Sequence, residues 1–208
     1  MVETWHISIN DKRTQQLMEK DSVLASLITD IGDVNRNLRT DPLKSIIRSI
    51  IGQQITVKAA AAIFERLTQK INNDWSVDTI SKLTEEDMVE IGLSRPKQKY
   101  LFNLIEHIND NELEFSQFDK LSNEAIIKQL TAVKGIGKWT AEVFLIFTMQ
   151  REDVVPIDDV GLQRAAKYLY KVPDDNGKEL LKKCQTTWGD QATIGCLYLW
   201  AYIHKYNI

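Results

Sequence analysis

The sequence predicts an all-α fold, and three observations carry that reading. Apolar residues recur at helical spacing through most of the chain, strand-like alternation is nearly absent, and capping residues punctuate the periodic runs at short intervals. The 208 residues, 43% of them apolar, are enough for a full hydrophobic core in a single domain spanning 1–208, or in two closely packed helical subdomains.

Each element has a local reason. The opening residues, Trp5 to Ile9, alternate weakly and are the one place where a short extended segment is expected. Asp41 followed by Pro42 reads as an N-cap with proline at the first helical position, opening a helix over Leu43 to Ile51. Thr56 starts the next helix, whose alanine-rich centre Ala59 to Ala62 favours helix and allows close packing. Shorter helices follow at Val77 to Lys82 and Glu85 to Ile91, the latter ended by Gly92. Pro96 suits the first turn of a helix reaching Ile108, with Tyr100, Leu101, Leu104, Ile105 and Ile108 on its buried side. Beyond the polar stretch 109–120, helices are expected at Asn123 to Ala132 and Lys138 to Met149. Three more are expected at Asp159 to Tyr170, Asn176 to Trp188 and Gln191 to Tyr206.

Composition excludes several classes. No apolar run reaches membrane-spanning length, and the N-terminus lacks the basic and apolar regions of a signal peptide, so an intracellular protein with no membrane partner is expected. Cys184 and Cys196 are too few for a disulfide framework or a four-cysteine cluster, and His6, His107 and His204 show no metal-ligand spacing. A net charge of −3 argues against coating nucleic acid by bulk electrostatics. Any nucleic-acid contact must be local, and Lys58, Arg95, Lys97, Lys99, Lys134 and Lys138 lie near the elements that follow.

The most informative stretch is Val133-Lys134-Gly135-Ile136-Gly137-Lys138-Trp139-Thr140-Ala141, followed after an apolar helix by Val155-Pro156-Ile157-Asp158-Asp159. Gly135 and Gly137 can take the positive φ angles of a tight turn and carry no Cβ to obstruct a ligand. The helix that begins at Lys138 aims its unpaired N–H groups and its dipole at the same spot, which suits a phosphodiester.

This string, with Asp159 downstream, resembles the signature of the helix-hairpin-helix DNA glycosylase superfamily, and most closely its alkylated-base branch, the 3-methyladenine DNA glycosylase II type. Lys134 stands where that pattern has proline. The likeness runs from about Leu43 to Trp200 and is weak before residue 40. It implies two helical subdomains flanking an active-site cleft, with the hairpin at about 123–149. DNA contacts are then expected on Lys134, Gly135, Ile136, Gly137, Lys138 and Thr140. Asp159 is implied as the catalytic carboxylate beside C1′ of a flipped-out nucleotide, with Asp158 as cap or neighbour.

Other positions refine the expectation. Bifunctional members such as endonuclease III carry a Schiff-base lysine where this chain has Trp139, so the resemblance implies a monofunctional enzyme with Trp139 facing the substrate. Gln53 and Gln54 match the loop that fills the space vacated by the flipped base, although a leucine stands at the wedge position in the best-known alkylation-specific members. Trp200, twelve residues after Trp188, matches a pocket tryptophan that would stack on a cationic base. Asp190 and Ala192-Thr193 replace the family's Pro and Arg-Ser, and Val143 replaces a second pocket aromatic. The implied partner is double-stranded DNA containing damaged bases, bound by a monomer. No cofactor is expected, apart from a structural monovalent cation of the kind that family hairpins hold on backbone carbonyls. A glycosylase for deaminated or mismatched bases, and a non-catalytic DNA-binding module, are the alternatives.

Overall fold

The computed structural model describes residues 3–207. In chain order these form β1 (Thr4–Ile7), α1 (Lys12–Lys20), α2 (Ser22–Ile31), β2 (Val34–Asn37), α3 (Pro42–Gly52), α4 (Val57–Lys70), α5 (Val77–Ser81) and α6 (Glu85–Ile91). They continue with α7 (Arg95–Asn109), α8 (Asn123–Ala132), α9 (Lys138–Phe147), α10 (Val160–Leu169), α11 (Gly177–Trp188) and α12 (Ala192–Tyr206). A 3-10 segment, Phe115–Lys120, occupies the polar stretch before α8. The all-α class therefore holds, with one small antiparallel ribbon added.

Local chemistry sets most boundaries. The side chains of Asp41, Thr56, Ser76 and Ser122 each accept from the backbone N–H three residues on and open α3, α4, α5 and α8. Thr84 and Asp87 form a reciprocal capping box on α6, and Gly92 ends that helix in the left-handed region at φ 95°. The expected helix to Met149 instead stops at Phe147, and Gln150 turns the chain with φ 53°.

The region before residue 40 departs most from expectation. Trp5 to Ile9 reads from sequence as a short extended segment, with no partner strand signalled. The structure instead pairs β1 with β2 in antiparallel register, Trp5 opposite Arg36 and Ile7 opposite Val34. Helices α1 and α2 were not anticipated at all. The first buries only Thr14 and Leu17 and so leaves a faint apolar stripe, while the second is opened by Asp21, whose side chain accepts from Leu24 N.

The chain divides into two compact units. The first comprises the residues up to Leu38 together with those from Leu145 onward, and the second comprises Arg39–Phe144. In the first, α10 packs on α11 and α12, and α12 on α2. Its centre is the fully buried Trp188, whose indole Nε1 donates to Asp21 Oδ2 at 2.8 Å, while the Tyr170 hydroxyl donates to the same oxygen. The Trp188 ring lies 2.5 Å from where a Cβ on Gly195 would sit, so α12 approaches only because residue 195 has no side chain. Burial pushes the Cys184 thiol up to about 11, which leaves it protonated and unreactive near neutral pH. In the second unit, α3 packs on α4 and α7, and Ile46, Ile47 and Ile50 of α3 and Leu101 and Leu104 of α7 are all buried.

Candidate active site and nucleic-acid interface

Asp159 and Trp200 belong to the first unit, whereas Gln53, Gln54, Trp139 and the hairpin residues belong to the second. In the first, the residues before α10 turn tightly, with Asp159 N donating to Pro156 O at 3.0 Å. Asp159 is the N-cap of α10, its Oδ1 accepting from Leu162 N at 2.7 Å. Asp158, expected as cap or neighbour, is the neighbour: it pairs with Lys178 at 2.6 Å, because the turn at Pro156 makes the second aspartate the residue preceding the helix. Gly161 leaves room for this carboxylate, since a Cβ there would lie 3.0 Å from Asp159 Oδ1. Gln163 ties the approach by donating from Nε2 to Ile157 O at 2.8 Å. Thr193, at the start of α12, accepts from Val154 N at 3.0 Å and lies close to the carbonyls of Arg151 and Val154. Asp159 therefore sits at the end of a loop anchored at several points.

Trp188 and Trp200 have different environments. The first is fully buried, whereas Trp200 is only partly covered, its ring 5.6 Å from that of Phe147 at 33°.

In the second unit, three of the residues expected to bind substrate meet. Gln53, Gln54, Trp139 and Val143 line one cavity of about 590 Å³, a size within the range of small-molecule sites. Trp139 is 42% exposed. Gln54 has φ 55°, a left-handed conformation that costs a glutamine energy and recurs at functional loops. The cavity also takes Arg39, Arg48 and Phe64, which no motif had signalled.

The hairpin is clamped by α7. A Cβ on Gly135, whose φ is 95°, would fall 2.2 Å from the Tyr100 ring, so both conformation and packing require glycine. Asn103 Oδ1 accepts from Lys134 N at 2.7 Å, and Lys97 Nζ donates to Ile51 O at 2.7 Å at the end of α3. The Gln53 amide closes the frame by donating to Gly135 O at 2.7 Å.

Several expectations change. Gly137 is not in the positive-φ region, and nothing lies within 4 Å of where its Cβ would sit, so no contact within the chain requires glycine there. Lys134 N–H is taken by Asn103 and Ile136 N–H by Val133 O, which leaves the N–H groups of Gly135, Gly137 and Lys138 without a hydrogen-bond partner among the described residues. Ile136 and Thr140 are each 4% exposed, so their side chains serve the interior. Gln53 is committed to the hairpin rather than extended toward a ligand. Lys97 is not a surface cation, and burial lowers its pKa from the ordinary lysine value. Lys138 lies 3.5 Å from Glu142 Oε1, one turn along α9. Among the described residues there is no cluster of His, Cys, Asp or Glu able to hold a metal ion, and no helix long and apolar enough to cross a membrane.

Residues 47–190 match the family described as HhH-GPD superfamily base excision DNA repair protein. The chain belongs to the HhH-GPD superfamily. Within it, the chain is 33% identical over 171 residues to DNA-3-methyladenine glycosylase 1 of Schizosaccharomyces pombe, covering 80% of this chain and 75% of that one. The solved structure of a DNA-3-methyladenine glycosidase from Bacillus halodurans superposes with a TM-score of 0.88 at 34% identity, covering 95% of this chain and 91% of the other. The S. pombe 3-methyladenine DNA glycosylase Mag1, in complex with abasic DNA, gives a TM-score of 0.84 at 29% identity over 95% and 99% of the two chains. A putative DNA-3-methyladenine glycosylase of Bacillus subtilis is 27% identical over 76% of this chain, which spans 58% of that longer protein.

Proposed function

We propose that this HhH-GPD chain is a monofunctional DNA glycosylase that hydrolyses the N-glycosidic bond of alkylated bases of the 3-methyladenine type in duplex DNA. The observation that carries the reading is the helix-capping, loop-anchored carboxylate of Asp159 in a chain of this base excision repair family. The likeness to relatives named as 3-methyladenine glycosylases supports the substrate class, and the likeness to one bound to abasic DNA supports duplex DNA as partner.

The reaction follows from the side chains. As the C1′–N bond lengthens, its electron pair leaves with the base and positive charge grows on the sugar. A carboxylate about 4 Å from that charge contributes about 4 kcal/mol at an effective dielectric near 20, worth roughly a thousandfold in rate. Water then bonds to C1′, and its proton passes to Asp159 or to solvent. A base already cationic from alkylation leaves neutral and needs no strong general acid. Trp200, only partly covered, offers an indole face for such a base, contributing about 0.5 to 2 kcal/mol by cation-π attraction. Gln54 fills the vacated stack. The N–H groups of Gly135, Gly137 and Lys138 take a backbone phosphate. A monovalent cation on the hairpin would use second lone pairs, since the carbonyls of Leu130, Val133 and Gly135 each already accept one hydrogen bond, and its role would be to stiffen the turn.

The test is to incubate the protein with duplex DNA treated with a methylating agent and to assay released base. Free 3-methyladenine or 7-methylguanine with an abasic product is expected. Abasic-DNA binding with no base released from any alkylated duplex would reduce the protein to a binding module.

A further inference from the structure

The cavity beside Gln53 and Gln54 carries a charge that base recognition does not explain. Arg39 and Arg48 both line it, with no aspartate or glutamate among the lining residues. Arg39 Nη1 donates to Ser49 Oγ at 3.2 Å, and burial together with the neighbouring Arg48 charge lowers its pKa from the usual arginine value. Arg48 forms no ion pair with a carboxylate among the described residues. Its guanidinium is instead held by stacking, with Cζ 5.0 Å above the Phe64 ring. Phe64 in turn stacks on Trp75 at 5.0 Å and 17°, and Lys44, one turn before Arg48 on α3, lies 4.9 Å from the centre of the Trp75 ring. Stacking orients Arg48 while leaving its N–H edge open, which is the state of an arginine awaiting an acceptor.

Two guanidinium groups on one cavity wall repel each other and would repel a cationic base, so the fitting occupant is an anion. In duplex DNA the anionic groups are the phosphates, and the planar fork of arginine matches a phosphate bidentately. We propose that Arg39 and Arg48 grip a backbone phosphate of bound DNA, forming a second phosphate site distinct from the Gly135–Gly137 hairpin. The inference rests on the DNA-binding part of the proposed function and adds that the strand is held at two points, one by backbone N–H groups and one by side chains. It also supplies local positive charge to a chain whose net charge is −3.

Duplexes with one abasic site and a single neutral methylphosphonate, walked through the flanking phosphates, test this. Wild-type protein should lose about tenfold or more in affinity at one position beyond those read by the hairpin. Arg48→Gln should show no added loss at that position, and the slope of log affinity against log salt should fall by about 0.9. Arg48→Lys, which keeps the charge but not the fork, should recover part of the coupling, and Gly137→Val should retain it. Equal methylphosphonate sensitivity of wild type and Arg48→Gln at every position, with unchanged melting, would overturn the proposal. Because abasic DNA is the ligand, failure of the protein to release any alkylated base would count against the glycosylase reading while leaving this measurement decisive.

Discussion

Asp159 is a helix cap as well as the proposed stabiliser of sugar charge, and the two roles separate by substitution. Asparagine keeps an oxygen that can accept from Leu162 N, so Asp159→Asn should melt near wild type while lowering base excision a hundredfold or more. Asp159→Ala should lose the same activity and about 1 kcal/mol of stability with the cap. Asp158→Asn weakens an exposed pair with Lys178 and should do little to either. Single-turnover excision beside thermal melts reads all three, and a dead Asp158→Asn with an active Asp159→Asn would reverse the assignment. The two tryptophans separate likewise. Trp188→Ala should cost about 3 to 5 kcal/mol, since its ring fills the first unit's core and its indole is bonded to Asp21. Trp200→Ala should cost much less stability and lower excision of cationic bases more than binding to abasic DNA, with Trp200→Phe recovering part. If Trp200→Ala loses stability and its folded fraction excises normally, the stacking role is wrong.

Among the elements, the hairpin is where local and tertiary causes meet. The fold requires glycine at 135 but not at 137, so their substitutions should diverge. Gly135→Ala forces a side chain onto Tyr100 at positive φ and should destabilise the protein markedly. A Cβ at residue 137 has no atom within 4 Å, so Gly137→Val should fold normally yet weaken DNA binding across all sequences; unchanged affinity would remove the hairpin from the interface. Much of this element was legible in the sequence because glycines and caps are local signals, as were α3 to α8. The clamp was not. Asn103, Lys97 and Gln53 reach partners 31, 46 and 82 residues away, and nothing in their immediate neighbours announces it. The same holds for Arg39 and Arg48 around the cavity. It also explains the missed start of the chain: β2 is a polar strand recognisable only from its pairing with β1, and α1 is too polar to show a clear stripe. Asp21, the cap of α2, is a local signal, but no strong apolar run precedes it to mark the boundary.

For the molecule as a whole, the reaction outcome depends on which amine can reach C1′. A lyase needs a lysine nucleophile at the position that Trp139 occupies, and an indole nitrogen cannot form a Schiff base. Lys138 is the nearest amine in sequence, but one residue turns it about 100° around the helix. It lies instead toward Glu142 Oε1, at 3.5 Å. The protein should therefore convert alkylated duplex to abasic duplex and stop there. Strand breaks should appear only after treatment with base or heat, at a rate unaffected by the enzyme. Borohydride added during turnover should trap no protein–DNA adduct, whereas a bifunctional glycosylase run alongside should give one. Lys138→Gln discriminates the one serious competitor: an adduct formed by wild type and abolished by that substitution would make Lys138 the nucleophile and overturn the monofunctional assignment.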